Sequence, residues 1–153
     1  LGGDYDVELV WMPGHDSGHA MFLDRKGRCL IAGDDVCSDV IGCGGGGRPE
    51  DPYRKYATLE AYRNELENLC ERLDEFDYIY PGHKGGTAVM TIEIDGDINE
   101  SVQDAILENP QDYDYKQEEV SGNGGAKKVR MFKYIPGFSA IAYNEQGVYI
   151  PKG

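Results

Sequence analysis

Residues 7–15 read V-E-L-V-W-M-P-G-H, a short apolar run that ends in a Pro-Gly turn and a histidine. Such a run is typical of a buried strand that stops at a turn. The same arrangement returns in residues 77–83, D-Y-I-Y-P-G-H, and residues 29–34, C-L-I-A-G-D, end a further apolar run on a glycine and an aspartate. This composition yields only about 0.02 P-G-H tripeptides by chance, so two copies indicate a constraint on both positions.

Two of the three histidines of the chain belong to these tripeptides. A glycine before each histidine allows a sharp turn, and strands that end on one sheet edge bring their last side chains together. Two imidazoles and a carboxylate are suitable ligands for zinc, or less specifically for iron or manganese. We therefore predict that His15, Asp34 and His83 are metal ligands. The simpler alternative is that both histidines form hydrogen bonds to the backbone in their turns, and that Asp34 forms an Asx turn or caps a helix.

The sequence between these motifs indicates a hairpin and a helix. Ala20–Leu23 and Cys29–Ala32 flank a turn and favour a pair of antiparallel strands. After Asp51 and Pro52, apolar residues recur at helical spacing, which predicts a helix that starts there with one apolar stripe. The stripe consists of Tyr56, Leu59, Tyr62, Leu66, Leu69 and Leu73. The glycine-rich residues 42–47 predict a mobile loop.

The C-terminal part predicts a second helix and a small antiparallel meander. Residues 99–109 end at Pro110 and favour a short helix. The polar residues 111–126 predict an exposed connection. Three β-rich segments follow: Lys127–Tyr134, Ser139–Tyr143 and Val148–Ile150.

Three strings, P-G-H-D-S-G-H-A-M-F-L-D, C-L-I-A-G-D-D and Y-I-Y-P-G-H-K-G, occur in this order along the chain. In order, spacing and strand context they resemble the second half of a metallo-β-lactamase-fold hydrolase of the glyoxalase II-like superfamily. The resemblance covers roughly residues 7–85 and implies an α/β fold, the αββα sandwich. This chain would supply only the second βα half and a C-terminal antiparallel meander. We expect a single domain over residues 1–153, with the motifs in 1–86 and a C-terminal helix and strands in 87–153.

The resemblance also implies a role for each motif residue. His15 would complete a first metal site, Asp34 would bridge both ions and serve in catalysis, and His83 would complete the second site. The implied cofactor is zinc, two ions in the complete site, with iron or manganese as alternatives. The implied reaction is hydrolysis of a small ester, thioester, lactone or amide by a metal-bound hydroxide. We interpret His19, four residues after His15, as a supporting or structural residue.

One motif of that superfamily does not occur in this sequence: H-x-H-x-D-H, which supplies the remaining ligands and the general base. Because the chain also starts without methionine, just before a strand, we expect a piece that lacks the first half and is inactive in isolation. The missing half, or a second copy through dimerisation or domain swapping, would cover its open sheet edge and apolar surface. Two alternatives stay open: a non-catalytic half-domain, and an acidic interaction module that has lost hydrolysis.

Composition sets limits on the partners. Twenty-eight acidic and 15 basic residues give a net charge of −13, which disfavours nucleic acids and anionic membranes. Since the one basic cluster is Lys127-Lys128-Val129-Arg130, a small carbonyl compound is favoured over a phosphodiester as the substrate.

No apolar stretch approaches bilayer length and no leader pattern is visible, so we expect a cytoplasmic protein. Its four cysteines, Cys29, Cys37, Cys43 and Cys70, are expected to be reduced core or loop thiols.

Overall fold

A computed structural model describes residues 4–36, 40–44, 50–82, 96–120, 127–135 and 139–152. In these ranges the chain is a mixed α/β structure with two four-stranded sheets and two α-helices. The strands are β1 (Val7–Trp11), β2 (Ala20–Asp24), β3 (Cys29–Gly33), β4 (Val40–Gly42), β5 (Tyr78–Pro81), β6 (Tyr115–Val120), β7 (Lys127–Ile135) and β8 (Ser139–Tyr143). The helices are α1 (Leu59–Cys70) and α2 (Gly96–Glu108).

The first sheet has the strand order β1-β2-β3-β5, and it confirms the predicted hairpin. β1 and β3 are both antiparallel to β2, and β5 is parallel to β3. β1, β3 and β5 therefore run in one direction and end on one edge of the sheet. This is the edge at which the three sequence motifs follow their strands, as we expected from the turns.

The two faces of the first sheet differ in burial. One face is closed by side chains that are fully or almost fully buried: Met21, Leu23, Leu30, Ala32 and Ile79. On the other face, register places Leu9, Phe22, Ile31 and Tyr80 in one row across all four strands. These four side chains, which we call the outer row, are 60%, 45%, 49% and 42% exposed. An apolar row of this kind across a whole sheet is unusual for a protein surface.

The second sheet has the order β4-β8-β7-β6 and corrects three predictions. Residues 115–118 are mostly exposed as predicted, but residues 115–120 form a strand instead of a connection, because β6 pairs with β7 along its whole length. Gly42 does not belong to a loop, since it ends β4 and pairs with Ala142 of β8. Val148–Ile150 is not a strand: it follows a short 3₁₀ turn and runs past α1, where Val148 accepts a hydrogen bond from the Glu60 backbone.

Helix α1 begins later than the sequence predicted. The side chain of Asp51 accepts the backbone N–H of Tyr53, which makes a turn of the segment instead of a helix start. The cap is Thr58, which has an extended backbone and accepts the N–H of Ala61 through its hydroxyl. Four residues of the predicted stripe, Leu59, Tyr62, Leu66 and Leu69, are buried on α1. The other two, Tyr56 and Leu73, lie outside the helix in short 3₁₀ turns.

The predicted second helix is confirmed in α2, which contacts α1 and β7. Its Val102 and Ile106 belong to the same buried core as the inner face of the first sheet. A single core thus joins the helices to both sheets. No helix in the described part of the chain is both long and apolar enough to cross a bilayer.

Candidate metal site

Close packing explains the glycine that precedes the first motif histidine. Gly14 has φ of +131°, a backbone conformation that L side chains rarely adopt. A Cβ at this position would overlap the Cβ of Tyr62 and lie 3.0 Å from its Cα. The turn after β1 therefore rests directly on α1, and this contact sets the position of His15.

His15 is held in one orientation by its backbone surroundings. Its Nδ1 donates a hydrogen bond to the carbonyl oxygen of Gly42, at 2.9 Å, on the last residue of β4. In the neutral ring, this hydrogen bond selects the tautomer that offers the Nε2 lone pair to a metal ion. Nε2 lies 3.7 Å from Oδ2 of Asp34, the residue that follows β3. A backbone carbonyl on one ring nitrogen is the usual support for a histidine that binds metal through the other.

The separation of these two atoms fits a shared metal ion. Donors about 2.0–2.1 Å from a tetrahedral zinc ion lie roughly 3.4 Å apart, close to the 3.7 Å between His15 and Asp34. Both side chains are about one-third exposed, at 38% and 31%, so the pair is open to solvent. Nitrogen and carboxylate oxygen form a donor set that suits zinc, iron or manganese.

The third predicted ligand, His83, lies outside the described residues. The described chain stops one residue before it, at Gly82, whose N–H donates to the Gly33 carbonyl at 2.6 Å. A Cβ on Gly82 would lie 2.8 Å from Oδ1 of Asp34. The structure thus brings His15 and Asp34 together, and Gly82, the last described residue before His83, lies next to Asp34. Within the described ranges, no three metal-binding side chains form a group that could hold an ion.

A second histidine-carboxylate pair lies beside the first. Nδ1 of His19 is hydrogen-bonded to Oδ2 of Asp35, whose side chain is fully buried. The His19 ring meets the His15 ring edge to face, with centroids 5.7 Å apart. The hydrogen bond to Asp35 raises the pKa of His19, while burial raises the pKa of Asp35. The other carboxylate oxygen of Asp35, Oδ1, is buried without a hydrogen-bond partner.

Sequence reasoning assigned His19 a supporting role but missed Asp35 as its partner. The G-D-D string gave no local signal for this role, because aspartate is almost never fully buried unless it is paired, and the pairing with His19 forms only in the tertiary structure. The hydroxyl of Tyr62 donates to the Asp35 carbonyl at 2.7 Å. Helix α1 therefore supports both the turn before His15 and the residue that holds His19.

The cysteine prediction is tested at three positions: Cys29, Cys43 and Cys70 are free thiols, and Cys43 is the buried one. Cys43 is 4% exposed and belongs to the core, and burial raises the pKa of its thiol. This agrees with a core thiol and not with a reactive nucleophile. Cys37 lies outside the described residues.

The His15–Asp34 pair opens onto a large cavity of about 1230 Å³. Its walls come from the 3₁₀ turn Arg54–Tyr56, from strands of the second sheet and from the turn after β8. Five of the residues that line it are basic: Arg54, Lys55, Lys116, Lys128 and Arg130. A cavity of this size exceeds what a drug-sized ligand needs.

Comparison of the sequence with models of protein families finds no match. Comparison with curated proteins finds none either.

Proposed function

We propose that this chain is the metal-binding second half of a hydrolase that resembles the metallo-β-lactamase-fold enzymes and cleaves an ester, thioester, lactone or amide. The observation that carries this proposal is the approach of His15 Nε2 and Asp34 Oδ2 to 3.7 Å at a single sheet edge. Support also comes from β5, which ends on that edge one residue before Gly82 and two before His83.

His15, Asp34 and His83 would hold the metal, with Asp34 between two ions in the complete site. Zinc supplies a Lewis acid that polarises a carbonyl and lowers the pKa of water. The Gly42 carbonyl orients the His15 ring, and the partial exposure of His15 and Asp34 leaves room for a substrate carbonyl on the cavity side. The close packing at Gly14 and Gly82 holds the ligand-bearing turns against α1 and β3.

The outer row supports the proposal that the chain is one half of a larger fold. Leu9, Phe22, Ile31 and Tyr80 form an apolar strip from the first to the last strand of the sheet. Sheets pack face to face through rows of this kind at about 10 Å separation. We propose that the first half of the fold packs on this face, in the αββα arrangement, and that it brings the remaining metal ligands.

A non-catalytic half-domain is the second candidate. It is favoured by the absence from this sequence of H-x-H-x-D-H, the motif that would supply the remaining ligands. Such a chain would bind metal weakly and turn over no substrate by itself.

The test measures zinc per chain by elemental analysis, and zinc affinity by competition with a chelator, for the 153-residue protein. Asp34→Asn, His15→Gln and His83→Gln are each expected to weaken zinc binding at least about tenfold. Asp74→Asn is the matched control, because Asp74 is an exposed carboxylate on the turn between α1 and β5.

Equal zinc affinity in Asp34→Asn and Asp74→Asn would overturn the assignment of Asp34. A folded wild-type chain without measurable zinc binding would favour the non-catalytic half-domain. The mass in solution, measured on the same sample, distinguishes a chain with an open outer row from a dimer that covers it with a second copy.

A further inference from the structure

The cavity beside His15 and Asp34 carries a local charge opposite to that of the whole protein. The chain has 28 acidic and 15 basic residues. Yet the cavity is lined by five basic residues and by three acidic ones, Asp16, Asp34 and Glu145. One-third of all lysines and arginines thus lie around a single cavity.

The cavity cations also differ from the other cations in their partners. Outside the cavity, the arginines that the structure describes are ion-paired with carboxylates: Arg25, Arg28, Arg63 and Arg72. The two arginines that line the cavity, Arg54 and Arg130, have no carboxylate within 4 Å among the described residues. Lys128 is paired with Glu119 in the register of β6 and β7, and Lys116 has a long contact of 3.9 Å to Glu118. In a protein with so many carboxylates, this distribution leaves positive charge available inside the cavity.

The second sheet fixes how far these cations lie from the metal ligands. Gly42, which holds His15, pairs with Ala142, and Ala142 pairs with Phe132 of β7. Adjacent strands are about 4.8 Å apart, so β7 lies roughly 10 Å from β4. Arg130 and Lys128 precede Phe132 on β7. At about 3.3 Å per residue along the strand, the backbones of Arg130 and Lys128 lie roughly 12 and 16 Å from Gly42, and their long side chains shorten the gap that a ligand has to span.

We propose that the cavity binds a small organic anion, whose phosphate or carboxylate group is held by Lys128 and Arg130, which share one face of β7, while its other end lies at His15 and Asp34. The assignment of the reacting end rests on the proposed function, but the binding of the anion does not require metal. Positive charge on low-dielectric walls concentrates anions at the cavity despite the overall charge of −13. The net charge disfavoured nucleic acids and phosphodiesters, but the basic residues around the cavity favour a small anion there.

The test titrates the chelator-treated, metal-free chain with two probes, inorganic pyrophosphate and succinate, and follows backbone amide shifts by NMR. We expect saturable shifts on β6 and β7, and an affinity that falls several-fold between about 20 and 200 mM salt. Lys128→Gln and Arg130→Gln are each expected to weaken binding about threefold to tenfold. Lys26→Gln, in the exposed turn between β2 and β3, removes the same charge away from the cavity and is expected to leave binding unchanged.

The probe that binds more tightly identifies the anion as a phosphate or a carboxylate. The absence of saturable shifts with both probes, or equal weakening by Lys26→Gln and Arg130→Gln, would overturn the proposal. Because the titration is done without metal, a failure here leaves the zinc measurement untouched. If the chain does not bind zinc, the proposed anion site is likewise unaffected.

Discussion

Replacing Gly14 by alanine is expected to lower the free energy of unfolding by about 2–6 kcal/mol. A non-glycine residue held at a φ of +131° costs on the order of 1–3 kcal/mol. The new Cβ would also overlap the Cβ of Tyr62 on helix α1, and such overpacking costs about 1–3 kcal/mol more. Since a domain of this size is stable by about 5–15 kcal/mol, the change would remove a large part of its stability.

Gly18→Ala is the matched control, four residues further along the same loop. A Cβ on Gly18 would meet only a side-chain oxygen of Asp16, at 3.7 Å, and its φ is not positive. We expect a change within about 0.5 kcal/mol for this variant. Urea unfolding followed by circular dichroism measures both, and with a slope of about 2 kcal/mol per molar the Gly14 variant should unfold about 2 M earlier.

Similar urea midpoints for Gly14→Ala and Gly18→Ala would refute this reasoning. They would mean that the turn before His15 moves freely away from α1, so that the Pro-Gly turn does not set the position of the histidine. In that case the distance between His15 and Asp34 would also lose its value as support for a metal site.

Three further outcomes are expected. Leu30→Ala should destabilise the chain by about 2–5 kcal/mol and Ile31→Ala by less than about 1 kcal/mol, because Leu30 is fully buried and Ile31 is 49% exposed. Thermal unfolding measures both variants, and equal losses would mean that the outer row is covered in solution. Thr58→Ala should cost about 1 kcal/mol through loss of the α1 cap, and an unchanged urea midpoint would contradict that cap. The Arg72 hydrogen bond lowers the pKa of Glu75 to about 2, so its contribution to stability is present above about pH 4.5 and is lost as the pH falls toward 2. Glu75→Gln should therefore flatten the stability profile in this window, and parallel acid-unfolding curves would contradict the ion pair.

The strand-turn-ligand pattern could be read from the sequence because it is local. An apolar run, a Pro-Gly pair and a histidine are adjacent in the chain, and each determines the conformation of the next few residues. The stripe of α1 was equally visible, since its period needs only one helix to be recognised. The start of that helix was misplaced because Asp51 uses its side chain in a turn, which competes with a helix cap.

Strand β6 shows where local reasoning fails. Residues 115–120 read Y-K-Q-E-E-V and lack an apolar face, so nothing in the segment itself indicates a strand. Its backbone is satisfied by β7, which provides a partner for every residue from Tyr115 to Val120. Pairing between segments is a property of the whole chain, and polar strands at a sheet edge depend on it entirely.

The sequence by itself determined the order of the motifs, the residue types offered as metal ligands and the turns that follow three parallel-running strands. Only the tertiary structure decided that His15 and Asp34 meet, that Asp35 is buried against His19, and that one sheet face stays apolar and exposed. It also decided that Arg54 and Arg130, which are far apart in the sequence, line one cavity. The physical reason is that burial and electrostatic fields depend on which segments pack together, and local sequence patterns carry no information about contacts between distant segments.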